Sequence, residues 1–307
     1  MDSGVAPPTR VREIEAKTLT SRVPRPGDGS WPWYRTDFNM NVYRGCQHRC
    51  IYCDSRSACY RIDRFDEEVL VKKNAASLLE QELARKRIKG VVGTGSMSDP
   101  YMPLERSLGL MRRCLQVIHR YGFGVHVHTK SDLVVRDIDL LTKIRRISGH
   151  AVVAVTITTS DDRLAAHIEP YAPPPSRRFE ALRALSDAGI TTWISMMPVL
   201  PYIEDNEENL LGVVRSAEAA GVEGILPFLG VTLRDRQRAY FYGCLDRIFP
   251  GVRQRYETAC GERYGCRVPE FDRLMNVVET ACQDAGIETY PAATVNDSPH
   301  TEQIPLL

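Results

Sequence analysis

Six apolar runs, each followed by a helical pattern, constrain this fold more than any other feature of the chain. The strand candidates lie at 39–45, 90–96, 124–130, 151–158, 191–199 and 223–230. Between them, helix-period patterns cover 75–87, 104–121, 136–147, 176–188 and 206–220, and a sixth, from Arg234 to Ile248, completes the last unit. Ser176 reads as an N-cap, and Gly189 and Gly221 stand where helices should stop. Most of the runs lack the alternation of a half-exposed strand, as in "AVVAVTIT", and so read as strands buried on both faces. Repeated strand–helix units imply a parallel sheet with right-handed crossovers. Six units are too few to close an eight-stranded barrel, so the expected fold class is α/β, an open partial (β/α)6 TIM-like barrel.

The 307 residues divide accordingly into an N-terminal extension (1–37), the partial barrel (38–248) and a C-terminal extension (249–307). A core of this size is supported by 43% hydrophobic residues. The entry segment holds the turn-rich "RPGDGSWPWY", and a tail from Pro291 is expected to be loosely held. Forty basic residues against thirty-nine acidic ones favour no particular partner, so a nucleic-acid surface has to be local. No apolar run is long enough for a membrane span, and the N-terminus lacks the apolar stretch of a secretory signal. Nine cysteines without such a signal read as metal chemistry in a reducing, cytoplasmic setting.

Three of those cysteines, Cys46, Cys50 and Cys53, fall in "YRGCQHRCIYCDSRS" at the spacing C-x3-C-x2-C. The loop follows the first strand and therefore sits at the sheet's C-terminal rim, where ligand sites collect in parallel α/β folds. A structural zinc ion needs four ligands. One reading is a zinc knuckle completed by His48, Cys59 or a distant cysteine, although no paired second half follows nearby.

The other reading is a resemblance. The spacing, with Tyr52 just before the last cysteine, is similar to the signature of the radical S-adenosylmethionine (SAM) superfamily. Within it, the chain most resembles the spore photoproduct lyase-like (DNA repair photolyase-type) group. Its landmarks here are "NVYRGCQHRCIYC", "GTGSMSDPYMPLE", "VHTKSDLVVRDIDLL", "TITTSDDRLAAHIEPYAPPPSRRFEALRALSDAGI" and "MMPVLPYI", from Asn39 to Leu229. The resemblance implies a [4Fe–4S] cluster held by Cys46, Cys50 and Cys53, with SAM on the fourth iron. It implies reductive SAM cleavage to a 5′-deoxyadenosyl radical, and an electron donor such as flavodoxin or ferredoxin.

It also implies a set of cofactor-binding residues, with Tyr52 among them. Gly95, Ser96, Ser98 and Asp99 end the second strand, where Gly93 and Gly95 allow close backbone approach and the others offer polar contacts. Lys130, on the third strand, pairs with the SAM carboxylate. His126 and His128 share its face and are given no role. Thr156 or Thr158 offers a hydroxyl to the ribose. Glu169 and Arg178 either touch SAM or form a salt bridge that pins their loop. Met197, Pro198 and Val199 supply an apolar bed for adenine, or are ordinary core.

For the substrate, the resemblance points to nucleic acid. The sequence departs from the family in one respect: the second-strand loop has no cysteine to return a hydrogen atom, and Ser96 stands there instead. Tyr101 is the candidate donor in its place, against the plainer reading of an exposed tyrosine at a helix start. Arginines 234, 236, 238, 247, 253 and 255 interleave with Tyr240, Phe241, Tyr242 and Tyr256, which suits phosphates and stacked bases or, alternatively, a solvated helix face. Cys260, Cys266 and Cys282 match no cluster spacing and read as buried structural thiols. A radical SAM enzyme acting on a peptide or small metabolite, and a non-catalytic zinc-binding module, remain the alternative functions.

Overall fold

The parallel sheet forms where the apolar runs predict it. The computed structural model describes residues 9–23 and 36–289; the turn-rich stretch at 25–34 and the tail from Pro291 lie outside them. Strands β1 (Arg10–Ile14), β2 (Thr20–Arg22), β3 (Phe38–Met40), β4 (Tyr43–Arg44), β5 (Glu68–Lys72), β6 (Val91–Thr94), β7 (Gly124–Thr129), β8 (Ala151–Thr156), β9 (Thr191–Met196), β10 (Gly224–Pro227), β11 (Gly230–Thr232), β12 (Gly265–Arg267) and β13 (Glu288–Thr289) succeed one another. The helices are α1 (Ala75–Ala84), α2 (Glu105–Leu108), α3 (Leu110–Arg120), α4 (Ile138–Ser148), α5 (Asp162–Ile168), α6 (Pro175–Asp187), α7 (Glu207–Ala219), α8 (Asp235–Ile248), α9 (Val252–Cys260) and α10 (Phe271–Asp284).

The main sheet has the order β13-β10-β9-β8-β7-β6-β3-β2, parallel except for β2, and it does not close. Val127 sits beside Thr94 on one side and Val153 on the other, so each strand's alternate residues line up across the sheet. One set, including Val125, Val127, Val153, Val155 and Ile194, joins the main core under the helices. The other set, including Val152, Ala154, Trp193 and Leu226, faces the barrel lumen.

Several boundaries depart from the sequence pattern. The run at 39–45 splits after β3, because β4 leaves the main sheet to pair antiparallel with β5. The expected helix 104–121 breaks at Gly109, whose φ of +59° favours glycine. The buried Glu105 carboxylate then caps α3, accepting from the backbone N–H groups of Leu110 (2.9 Å) and Met111 (3.1 Å). Ser176 is not the N-cap of α6; Pro174 is, and the Ser176 hydroxyl donates to Asp162 Oδ2 at 2.6 Å. The run at 223–230 ends as a strand at Pro227, and β11 pairs antiparallel with β12. Beyond α8, β13 extends the parallel sheet at β10. Cys260 and Cys266 are joined in a disulfide that ties the end of α9 to β12, which corrects the expectation of free thiols; Cys282 is buried and free. No described helix is long and apolar enough to cross a membrane.

Candidate active site

The cysteine loop lies over the C-terminal rim of the sheet and is anchored at both ends. At the Cys46 end, the buried His48 bridges two elements: its Nδ1 lies 3.2 Å from the Tyr171 carbonyl and its Nε2 lies 3.1 Å from Asp99 Oδ2. Asp99 is a hub. Its carboxylate accepts from the Thr129 hydroxyl (2.7 Å) and from the backbone N–H groups of Lys130 (2.6 Å) and Tyr101 (2.8 Å). Burial alone would raise its pKa, but the His48 imidazole and these donors bring it down to about 2. Asp99, expected as a polar contact for SAM, thus spends its oxygens on the scaffold.

At the Cys53 end, arginines do the anchoring. The buried Arg56 guanidinium donates to the Cys50 carbonyl (3.2 Å) and to Asp66 (2.6 Å), stacked between the rings of Phe65 and Tyr240. Arg234 pairs with Asp54 at 2.7 Å and donates to Cys59 Sγ at 3.2 Å. Arg236 donates to the carbonyls of Arg56 (2.5 Å) and Ile62 (2.9 Å), and Asp235 accepts from the Ala58 N–H at 3.1 Å. Arg238 donates to the carbonyls of Gly261, Glu262 and Arg263. Phe241, Tyr242 and Tyr256 are buried and packed edge-on or tilted against one another. Both readings of this stretch need correcting in part: Arg234 is buried and Arg238 half-buried in internal contacts, Arg236 is exposed but spends donors on backbone carbonyls, Arg247 and Arg255 are solvent-exposed, and the three rings are no open platform for bases.

Between the anchors, the buried Cys50 lies beside the half-buried Lys130 and the buried Glu169, with the half-buried Cys46 and Cys53 next to it. The Tyr52 hydroxyl donates to Glu169 Oε1, Lys130 Nζ lies 3.8 Å from that oxygen, and Arg178 meets Oε2 at 2.5 Å. Burial opposes the Glu169 charge, yet Arg178 and Lys130 hold its pKa below the usual range. Burial also opposes the Lys130 ammonium, but Cys50 and Glu169 outweigh it and keep the group charged. Arg178 donates further to the carbonyls of Thr156 (2.9 Å) and Pro173 (2.7 Å), so the salt bridge between these two residues does pin the proline loop to β8.

The remaining candidates separate. Gly95 has a φ of +101°, and a Cβ there would lie 2.1 Å from the His128 carbonyl oxygen, so the absence of a side chain lets the neighbouring strand approach closely. The Ser96 hydroxyl accepts from Asn39 Nδ2 at 2.9 Å, and the Ser98 hydroxyl donates to the Tyr43 carbonyl at 2.9 Å. Thr156 shares the lumen face of β8 with Val152 and Ala154. Thr158 donates to Glu204 Oε1 at 2.5 Å, while Glu204 Oε2 accepts from the Leu200 N–H. Met197 packs on the lumen cluster beside Pro198, to which it is joined by a cis peptide bond, whereas Val199 lies in the helix-side core. Tyr101 is not exposed. It is fully buried in the main core, and its hydroxyl donates to Asp137 Oδ2 at 3.1 Å.

Two residues of this region carried no sequence signal. Arg56 sits in an ordinary polar run. Glu204, in "PYIEDN", is fully buried, and burial pushes its carboxyl up to about 8.

The donor set suits an iron–sulfur cluster. Burial pushes the Cys46 thiol up to about 12 and raises Cys50 and Cys53 as well, so a bound metal has to displace the protons to make thiolates. Among the described residues, no group of three or more His, Cys, Asp or Glu side chains gathers as a single-ion site. Three thiols around a cubane, one per iron corner, ask for no such convergence.

The profile of the radical SAM superfamily matches residues 40–214. The chain belongs to the radical SAM superfamily. An uncharacterized protein of Mycobacterium tuberculosis is 31% identical over 250 residues, covering 80% of this chain and 72% of that protein. An uncharacterized protein of Methanocaldococcus jannaschii is 35% identical over 170 residues, covering 55% of this chain and 62% of its own length. Among solved structures, spore photoproduct lyase complexed with dinucleoside spore photoproduct superposes with a TM-score of 0.64 at 14% identity, covering 91% of this chain and 81% of that one. That likeness shows a shared fold: the open, mostly parallel sheet of a radical SAM partial barrel.

Proposed function

We propose that this radical SAM protein is an enzyme whose Cys46, Cys50 and Cys53 hold a [4Fe–4S] cluster and whose Lys130 meets the carboxylate of SAM. When bound, the pair supplies one-electron reductive cleavage of SAM and a 5′-deoxyadenosyl radical for hydrogen abstraction. The single observation that carries this reading is a charged lysine, largely enclosed and braced by Glu169, beside the buried Cys50 of the cysteine loop. Burying such a charge is costly without an anion, and Glu169 is already shared with Arg178. The protein's own work is to orient and to exclude water. Tyr52, Glu169 and Arg178 hold Lys130 in place, Thr156 offers a hydroxyl at the lumen, and Met197 contributes an apolar surface. An electron donor of the flavodoxin or ferredoxin kind, in the cytoplasm, belongs to this reading.

The substrate class we favour is nucleic acid, supported by the fold shared with a lyase seen bound to a dinucleoside lesion. A second reading, a peptide or small metabolite, draws support from Arg234, Arg236 and Arg238, whose engagement removes the expected phosphate contacts. Anaerobic reconstitution tests the chemistry. The protein should bind iron and sulfide and cleave SAM on reduction, and Cys50→Ala should lose both properties. A colourless protein that takes up one zinc ion instead would sink the proposal. Incubation with deuterated candidate substrates then identifies the class, because label appears in 5′-deoxyadenosine only from the molecule attacked.

A further inference from the structure

A cavity of about 450 Å³ opens on the outer side of the cysteine loop, between that loop, α5 and α8. The loop's alternation separates two faces. Cys50 and Tyr52 lie with Lys130 and Glu169, whereas Arg49 and Ile51 line the outer cavity. Its wall reaches Cys50 by two short routes. One is the peptide bond to Ile51. The other runs through Tyr240, whose ring lies 3.7 Å from the Arg56 guanidinium that donates to the Cys50 carbonyl. The lining is cationic: Arg49 and Arg247 contribute guanidiniums beside the His167 imidazole, and among the described lining residues the single acid, Asp66, is turned onto Arg56 at 2.6 Å.

We propose that this cavity is the docking port for an acidic one-electron donor protein, an inference that rests on the radical SAM reading above. Electron transfer needs closeness and no access to the lumen. A substrate that gives up a hydrogen atom needs the opposite, because on this outer side the loop backbone stands between it and Lys130. That asymmetry favours an electron carrier over a nucleic acid, although both are anionic. With a flavodoxin as donor, the anionic flavin hydroquinone becomes the neutral semiquinone and one electron passes to the oxidised cluster, with no bond made or broken at the port. The basic rim attracts the acidic partner and orients it.

The test uses the reconstituted protein, a flavodoxin in its hydroquinone form, and dithionite as a small reductant that needs no docking. Combined Arg247→Glu and His167→Glu should slow flavodoxin-driven cluster reduction at least tenfold in stopped flow at low salt. Binding of oxidised flavodoxin should weaken by a similar factor. Both differences should shrink at high salt as the rim charges are screened, while dithionite reduction stays unchanged. The neutral pair Arg247→Gln and His167→Gln should fall between. Unaltered flavodoxin rates and affinity in both variants would overturn the port, as would a rim that loses affinity for a short oligonucleotide while flavodoxin is unaffected. Absence of iron, or of any dithionite-driven SAM cleavage in the parent protein, defeats the underlying reading instead, so the two failures are distinguishable.

Discussion

The two ends of the cysteine loop are held by different physics. The Cys46 end is fastened by one buried carboxylate, Asp99, which gathers His48, Thr129 and two backbone N–H groups from neighbouring strand ends. The Cys53 end is fastened by guanidiniums, Arg56, Arg234 and Arg236, that reach carbonyls and carboxylates across the chain. A single titratable hub is strong but fails as a unit. A set of permanent cations shares the task and does not titrate. The same contrast explains why a run of arginines can look like a nucleic-acid surface in sequence and be an internal brace in space.

Breaking the hub should have the largest effect. Asp99→Ala strands a buried imidazole and three donors, and should cost about 3–5 kcal/mol in denaturant unfolding, with loss of iron uptake on reconstitution. Acid sharpens the contrast. The folded pKa of Asp99, about 2, lies below the ordinary value of 3.8, so its contribution is present above about pH 4 and is lost as pH falls through 2. That loss amounts to about 2–3 kcal/mol, and it should be absent from an acid titration of Asp99→Asn, which has nothing to protonate there. Removing one brace should matter less. Arg234→Met leaves the half-buried Asp54 with only its Tyr60 and Thr232 hydroxyl donors and should cost about 1–3 kcal/mol, loosening the Cys53 end while leaving oligonucleotide affinity unchanged; a large loss of that affinity would restore the surface reading. Smallest of all, Arg253→Ala, on an exposed pair with Asp246 and Glu257, should leave the melting temperature where it was.

The barrel was legible because its information is local. Each lumen strand is a run such as "AVVAVT" that only a strand covered on both faces can bury. The exceptions arise from tertiary pairing: β4 deserts the sheet for β5, and β13 adds a parallel strand from a segment with no apolar run. The cysteine loop stood out because its spacing is itself a chemical pattern, and Lys130 stood out only through the family resemblance. Asp99 was found but its role was not, since whether a carboxylate meets a ligand or a scaffold depends on donors thirty or more residues away. Tyr101 and Val199 show the same limit, because a position one or two residues beyond a strand can turn toward the core or toward the lumen.

Local pattern alone therefore determined the class of fold and picked out the three-cysteine loop, because side-chain period and cysteine spacing are short-range properties, whereas Lys130 was singled out only through the family resemblance. Tertiary structure alone decided which charges are spent on the scaffold and which are left for chemistry. A buried charge takes whatever partner lies within a few ångströms, and that proximity is created only when distant segments, such as the cysteine loop and α8, are brought face to face.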